Sequence, residues 1–244
     1  MNRFGLIGYP LGHSFSQQYF NNKFKTENLN DCFFELFPIE NIASFPELLS
    51  TYNDLKGLAV TIPYKETIIN FLTSIDEAAS EIGAVNCIKI SSQKIIGFNT
   101  DVIGFENSIK PILKTHHKKA LILGTGGGSK AVQFVFKKLG IEFLLVSRTK
   151  NNQHIKYQEI NEMICNEYNI IVNATPVGMN PQIDVCPEIP FQFLNEKHLF
   201  FDLIYNPAET LFLKKGKELG AQTKNGHEML ITQAEANWKV WNQQ

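Results

Sequence analysis

Arginine is nearly absent from this chain: Arg3 and Arg148 stand against 21 lysines. The net charge is only −1, with no basic stripe, which argues against a nucleic-acid partner or an anionic membrane surface. Cysteine is scarce too. Cys32, Cys87, Cys165 and Cys186 lie far apart, with no C-x-x-C pair, so neither a zinc site nor a disulfide framework is expected. They read as reduced, mostly buried thiols of a reducing compartment. Long apolar runs are lacking as well: none reaches the roughly 18 residues of a transmembrane helix. The opening MNRFGLIGYPLGHSFSQ has one basic residue and too short an apolar stretch for a signal peptide, so a cytoplasmic location is expected. His116 and His117 sit in a lysine-rich stretch that reads as a solvated linker, not a metal site.

What is there is the composition of a globular protein, 43% hydrophobic and 19% charged. Short apolar runs alternate with helical patterns almost from end to end, the signature of an α/β protein. In the first part, strands are predicted over 4–8, 32–37, 57–61, 86–90 and 95–98, and helices over 17–26, 42–50, 66–72 and 102–113. The last two strands are joined by the polar turn Ser91-Ser-Gln-Lys94, so this sheet should be mixed, not purely parallel. A polar stretch, Lys114-Thr-His-His-Lys-Lys119, then precedes a buried-strand run, and a domain boundary is placed there. The second part reads as strand 119–124, helix 128–139, strands 142–147, 170–173 and 199–204, helix 209–219 and a final helix over 227–241. The expected architecture is therefore two α/β domains: residues 1–113 with a mixed sheet, and residues 114–226, Rossmann-like and nucleotide-binding. A C-terminal segment, 227–244, follows.

Leu121-Ile-Leu-Gly124-Thr-Gly126-Gly127-Gly128-Ser-Lys-Ala131 has the form strand, glycine turn, helix start. Glycines permit the tight turn and let backbone N–H groups approach a pyrophosphate, which the helix N-terminus then stabilises. The third glycine position of G-x-G-x-x-G is Ser129 here, with Ala131 available for close helix–strand contact. A glycine-rich turn without a ligand is the plainer alternative. The choice between NAD and NADP turns on the end of the next strand. Glu142 has roughly the spacing of a ribose-binding acid, but it begins that strand, whereas the ribose meets its carboxyl end. At that end stand Ser147-Arg148-Thr149-Lys150, with no carboxylate before Glu159. A cation there suits a 2′-phosphate, so NADP is the cofactor expected, an ordinary surface arginine being the alternative.

In the first part, polar residues collect at strand ends and loops, where α/β proteins place sites. Ser14 and Ser16 follow the first strand, Thr61 ends the third, Lys65 comes just after, Asn86 begins the fourth and Asp101 follows the fifth. Each has a structural reading: Ser16 and Asp101 as helix N-caps, Lys65 as a solvated helix start, Asn86 as a turn former.

These segments carry a resemblance to the shikimate dehydrogenase family that spans essentially the whole chain. Ser14-Phe-Ser16 is similar to its S-x-S segment, Val60-Thr-Ile-Pro-Tyr-Lys65 to V-T-x-P-x-K, Gly83-Ala-Val-Asn86 to G-A-V-N, and Gly97-Phe-Asn-Thr-Asp101 to G-x-N-T-D. Asn173-Ala-Thr175-Pro-Val-Gly-Met179, Asp202-Leu-Ile-Tyr205-Asn-Pro207 and Gln233-Ala234 follow in order. Gln17, Val102 and Asn225-Gly226-His-Glu-Met-Leu230 depart from the family pattern, as do Ser147 and Asn152 in the N-R-T-x-x-R adenosine-phosphate segment. The last departure leaves Arg148, aided by Lys150, as the phosphate clamp.

The resemblance implies reversible, NADP-dependent reduction of 3-dehydroshikimate to shikimate, a step of aromatic amino acid (chorismate) biosynthesis. It implies Lys65 and Asp101 as catalytic residues, Ser14, Ser16 and Tyr205 on the ring carboxylate, and Thr61, Asn86 and Gln233 on the ring hydroxyls. Cofactor contacts are expected from Gly124, Gly126, Gly127, Gly128, Arg148, Thr149, Lys150, Thr175, Met179 and Gly226. The C-terminal helix should pack back on the first domain. Beside the small-molecule substrate, a second copy of the chain in a homodimer is the one macromolecular partner expected. A quinate or broad-specificity dehydrogenase of the same family, and a non-catalytic NADP-binding regulator, stay open.

Overall fold

The computed structural model describes residues 1–12, 14–91, 94–149 and 154–243. The chain divides into two compact units, Met1–Thr100 with Ala234–Gln244, and Asp101–Gln233. The final helix is shared, its last residues counting with the first unit.

The first unit begins with β1 (Asn2–Gly8), α1 (Phe15–Thr26), β2 (Cys32–Pro38), α2 (Phe45–Thr51) and β3 (Leu55–Val60). Then come β4 (Ser74–Ile75), α3 (Glu77–Ile82), β5 (Cys87–Ile90) and β6 (Ile95–Phe98). The sheet order is β2-β1-β3-β5-β6-β4. β1, β2 and β3 are parallel, whereas β5 runs antiparallel to both β3 and β6, so the sheet is mixed as the polar turn predicts. The expected helix over 66–72 is only a 3-10 turn, Thr67–Phe71, where β-branched Thr67, Ile68 and Ile69 crowd a short segment.

The second unit holds α4 (Asp101–Ile109), β7 (Lys119–Leu123), α5 (Gly127–Leu139), β8 (Glu142–Ser147), β9 (His154–Lys156) and α6 (Glu162–Glu167). After these come β10 (Ile170–Asn173), β11 (Leu199–Asp202), α7 (Leu211–Glu218), β12 (Gln222–Lys224) and the shared α8 (His227–Asn242). Its strands run in the order β12-β11-β10-β7-β8-β9, all parallel. That is the doubly wound dinucleotide-binding order, with its switch point between β7 and β10. α4 is grouped with this unit and not with the residues before it, because Phe105 packs edge-on against Phe136 and Phe201. It ends at Ile109, and Pro111, which has no N–H to continue the ladder, turns the next residues into a 3-10 segment.

Aromatic packing ties α8 into the first unit. Phe20 stacks on Phe34 with ring centroids 4.8 Å apart, and Phe4 stacks on Trp241 at 5.0 Å. The Trp241 indole N–H donates to the Ile88 carbonyl at 3.0 Å. Tyr19 and Lys23 of α1 both bond Glu235 of α8, the lysine at 3.0 Å.

The stretch around His116 is solvated as expected, with one exception. His117 is buried, its Nδ1 accepting from the Lys114 N–H at 3.0 Å, and its Nε2 lies 3.2 Å from the Lys197 carbonyl. Burial pushes its pKa from 6.5 down to about 4. Folding therefore favours the neutral ring. The stability this gives is present above pH 6.5 and is lost as pH falls through about 4, a contribution of roughly 2–3 kcal/mol. Urea unfolding at pH 7.5, 5.5 and 4.5 should show wild type losing more stability on acidification than His117→Gln. Parallel losses would refute the assignment.

Candidate functional site

In the first unit the loops at the carboxyl ends of β1 and β3 are laced together by backbone bonds. Thr61 N–H donates to Ile7 at 2.9 Å and Tyr9 N–H to Ile62 at 3.1 Å. A Cβ at Gly8 would overlap the Thr61 methyl, so the two strand ends approach as closely as glycine allows. Val85 N–H donates to the Lys65 carbonyl at 2.7 Å, and Val60 N–H to the Asn86 carbonyl at 2.8 Å. Thr61, Lys65 and Asn86 are thus brought together at one sheet end. Ser14 and Ser16 follow β1 toward the same end. Ser14, not Ser16, takes the N-cap position of α1, and its hydroxyl makes no capping bond. Ser16 lies inside the first turn. Asp101 opens α4 and is buried.

Two buried polar residues that sequence reasoning passes over belong to this cluster. Thr100 donates its backbone N–H to Asn86 Oδ1 at 2.7 Å, and its hydroxyl donates to Asn237 Oδ1 at 2.6 Å. The signal for Asn237 is its helical spacing from Gln233, four residues on along α8.

In the second unit the glycine turn leaves β7 at the switch point. Gly124 has φ +102°, and a Cβ there would lie 2.8 Å from the Thr175 methyl carbon, so both conformation and space require glycine. The N-cap of α5 is Gly126, with no side-chain capping bond and no acidic residue in the first turn. A Cβ at Gly126 would meet nothing within 4 Å, which leaves open space against the helix amides. These features fit a pyrophosphate: unshielded N–H groups, a favourable dipole and no side chain in the way. Gly127 and Gly128 form the first turn of that helix.

β8 ends at Ser147, whose Oγ accepts the Thr149 N–H at 3.3 Å and shapes the turn that presents exposed Arg148. Glu142 is at the opposite end of β8, ion-paired with Lys119 at 3.2 Å, about 17 Å away at strand rise. It is therefore out of reach of a ribose at the carboxyl edge. Lys150 and Asn152 lie outside the described residues.

The loops after β10 and β11 are held by a buried pair. Asn173 Oδ1 accepts from the Thr175 hydroxyl at 2.6 Å, and its amide donates to Asp202 Oδ1 at 3.1 Å. Asp202 also accepts from the Thr210 hydroxyl at 2.6 Å and the Ile204 N–H at 3.0 Å. Burial raises its pKa to about 6 despite these bonds. The network fixes the loops that carry Thr175, exposed Met179 and Tyr205, whose phenol is pushed up by burial and so stays a proton donor. Gly226 is buried, and a Cβ there would overlap the Leu203 carbonyl, so close backbone packing is reason enough for that glycine. Among the described residues no cluster could hold a metal ion, and no helix is long and apolar enough to cross a membrane.

Residues 6–88 match the model of the shikimate dehydrogenase substrate binding domain. A shikimate dehydrogenase (NADP(+)) of Caldanaerobacter subterraneus subsp. tengcongensis is 36% identical over 258 residues, covering 98% of this chain and 90% of that protein. Among solved structures, shikimate dehydrogenase 1 from Peptoclostridium difficile is 37% identical with a TM-score of 0.88, covering 99% of this chain and 91% of that one. The Thermus thermophilus shikimate 5-dehydrogenase, solved in complex with NADP(H) and shikimate, is 28% identical with a TM-score of 0.86, covering 99% and 94%. Likeness of this extent runs through both sheets, the glycine turn and the Thr61–Lys65–Asn86 cluster alike, and the chain belongs to the shikimate dehydrogenase family.

Proposed function

We propose that this protein catalyses the reversible, NADP-dependent reduction of 3-dehydroshikimate to shikimate. The observation that carries the reading is the Lys65–Val85 backbone bond, which sets Lys65 beside Asn86 at the strand end where Thr61 stands, all within the stretch that matches the substrate-binding model. Met1–Thr100 with Ala234–Gln244 would act as the substrate domain and Asp101–Gln233 as the cofactor domain.

Bound NADPH supplies the hydride that the ketone carbon gains. The ketone oxygen then carries developing negative charge. The Lys65 ammonium stabilises that charge by hydrogen bonding and delivers the proton that completes the alcohol. Asp101 orients the ammonium. Ser14, Ser16 and Tyr205 donate to the ring carboxylate, while Thr61, Asn86 and Gln233 hold the ring hydroxyls. The Ser14 hydroxyl is not spent on capping α1, which supports its part in this set. Gly124, Gly126, Gly127 and Gly128 cradle the pyrophosphate, Arg148 with Thr149 and Lys150 takes the 2′-phosphate, and Thr175, Met179 and Gly226 border the rest of the cofactor.

Four free cysteines, two of them buried, support a reducing, cytoplasmic location. A homodimer belongs to the same proposal. Initial rates at 340 nm for shikimate and for quinate, each with NADP+ and with NAD+, test the assignment. Turnover is expected to be highest with shikimate and NADP+. Faster turnover of quinate, or none of either acid, would overturn it.

A further inference from the structure

The Thr175–Val177 turn leaves β10 beside the glycine turn. A Cβ at Gly124 would lie 2.8 Å from the Thr175 methyl carbon and 3.0 Å from the Ala174 carbonyl oxygen. One side chain holds this turn at its root. Asn173 is fully buried, and both protons and both lone pairs of its amide are used. Its Oδ1 accepts from the Thr175 N–H at 3.1 Å and from the Thr175 hydroxyl at 2.6 Å. Its NH2 donates to the Val177 carbonyl at 3.2 Å and to Asp202 Oδ1 at 3.1 Å. The Thr175 hydroxyl also accepts the Val177 N–H at 3.2 Å. Both donors of Thr175 are thus spent on Asn173, and what Thr175 can offer a ligand is its methyl group and the shape of its backbone. Asp202 backs the amide in turn. It is a buried carboxylate whose other donors, the Thr210 hydroxyl and the Ile204 N–H, are neutral. A buried charge without a cation is costly, and this one holds Asn173 in place by its donor end.

From this set of bonds we infer that Asn173 is a positioning residue for the cofactor, acting through the Thr175–Val177 turn. The inference rests on the reading of that turn as bordering the cofactor, and it specifies how. With its donors turned inward, Thr175 is a wall placed by Asn173 and does not single out a phosphate oxygen. The contribution of Asn173 is therefore blind to the 2′-phosphate, the opposite of what is expected of Arg148.

The test is steady-state kinetics of the full-length protein with shikimate and either NADP+ or NAD+, for wild type, Asn173→Leu, Thr175→Val and the double variant. Asn173→Leu keeps the volume and releases the turn. It should raise KM for NADP+ and for NAD+ by the same factor, about 3- to 10-fold, the share of one hydrogen bond. KM for shikimate should stay within about twofold. A merely structural role would lower the yield of active enzyme and leave the cofactor KM where it was. Thr175→Val keeps the methyl group, takes the acceptor from the Val177 N–H, and should give a rise of the same kind. Both changes loosen one turn, so the double variant should lose no more than the worse single variant. A cofactor KM within twofold of wild type in folded Asn173→Leu overturns the inference, as does a rise confined to NADP+. Losses that simply add overturn it too, since they would give the Thr175 hydroxyl a cofactor contact of its own. Should Asn173→Leu fail to fold by circular dichroism, Thr175→Val decides alone, and an unmoved cofactor KM there overturns it. Wild type inactive on shikimate would sink the functional reading and this inference with it. An active wild type with unmoved variants sinks the inference alone.

Discussion

Lys65→Met should lower kcat by about 10²–10⁴-fold, the usual share of a positioned acid–base group, with little loss of fold. Methionine matches the reach of the lysine stem without its charge. The bond that places residue 65 runs through its backbone carbonyl, 2.7 Å from the Val85 N–H, and so survives the substitution. Among the described residues at that strand end, the neighbours of Lys65 do not replace the function. Thr61 is a neutral hydroxyl, and Asn86 Oδ1 is committed to Thr100. Asp101→Asn should slow turnover as well, since it removes the negative charge assigned to hold the ammonium. A purified Lys65→Met protein with a wild-type melting profile and more than a tenth of wild-type kcat would show that the proton comes from elsewhere.

Arg148→Ala should weaken NADP+ by about 1.5–3 kcal/mol, roughly 10- to 150-fold in kcat/KM, the range for a charge-assisted contact. NAD+, without the 2′-phosphate, should be nearly unaffected, so the wild-type preference for NADP+ should collapse toward parity. The geometry makes this a clean comparison. Arg148 is exposed on a turn closed by Ser147 and Thr149, so its truncation removes no core packing. Glu142, the one acid with the spacing of a ribose partner, is bound to Lys119 at the far edge of the sheet. Measuring kcat/KM for both cofactors in both proteins decides the matter. Equal loss for both would assign Arg148 a structural role, and a wild-type preference for NAD+ would refute the phosphate site.

Much of this is legible in the sequence because the signals are local. The run Ala120–Leu123, the glycine turn and the amphipathic α5 announce a nucleotide-binding unit within about twenty residues, and its parallel order follows. The polar turn between β5 and β6 announces the mixed sheet. What escapes depends on contacts distant in sequence. β4, β9 and β12 are two or three residues long and exist only as partners of a neighbouring strand, so no periodicity marks them. His117 looks solvated because its lysine-rich neighbours are, yet the Lys197 carbonyl, eighty residues on, closes over it. Asn237 is silent for the same reason: an asparagine between Ala236 and Trp238 gains meaning only when Thr100 is brought against it. Residue type alone makes Ser16 and Asp101 candidate helix caps, whereas the cap of α1 falls at Ser14 and Asp101 opens α4.

Both tryptophans of the chain, Trp238 and Trp241, are on the closing turns of α8, against Phe4 and its aromatic neighbours. Asp101–Gln233 contains none. Indole emission from the native protein therefore originates wholly in the first unit. A denaturation curve followed by fluorescence records the dispersal of that aromatic cluster, while far-ultraviolet dichroism sums over every helix and strand. The two optical signals are thus separate reporters, one for half of the molecule and one for all of it, without any label being attached.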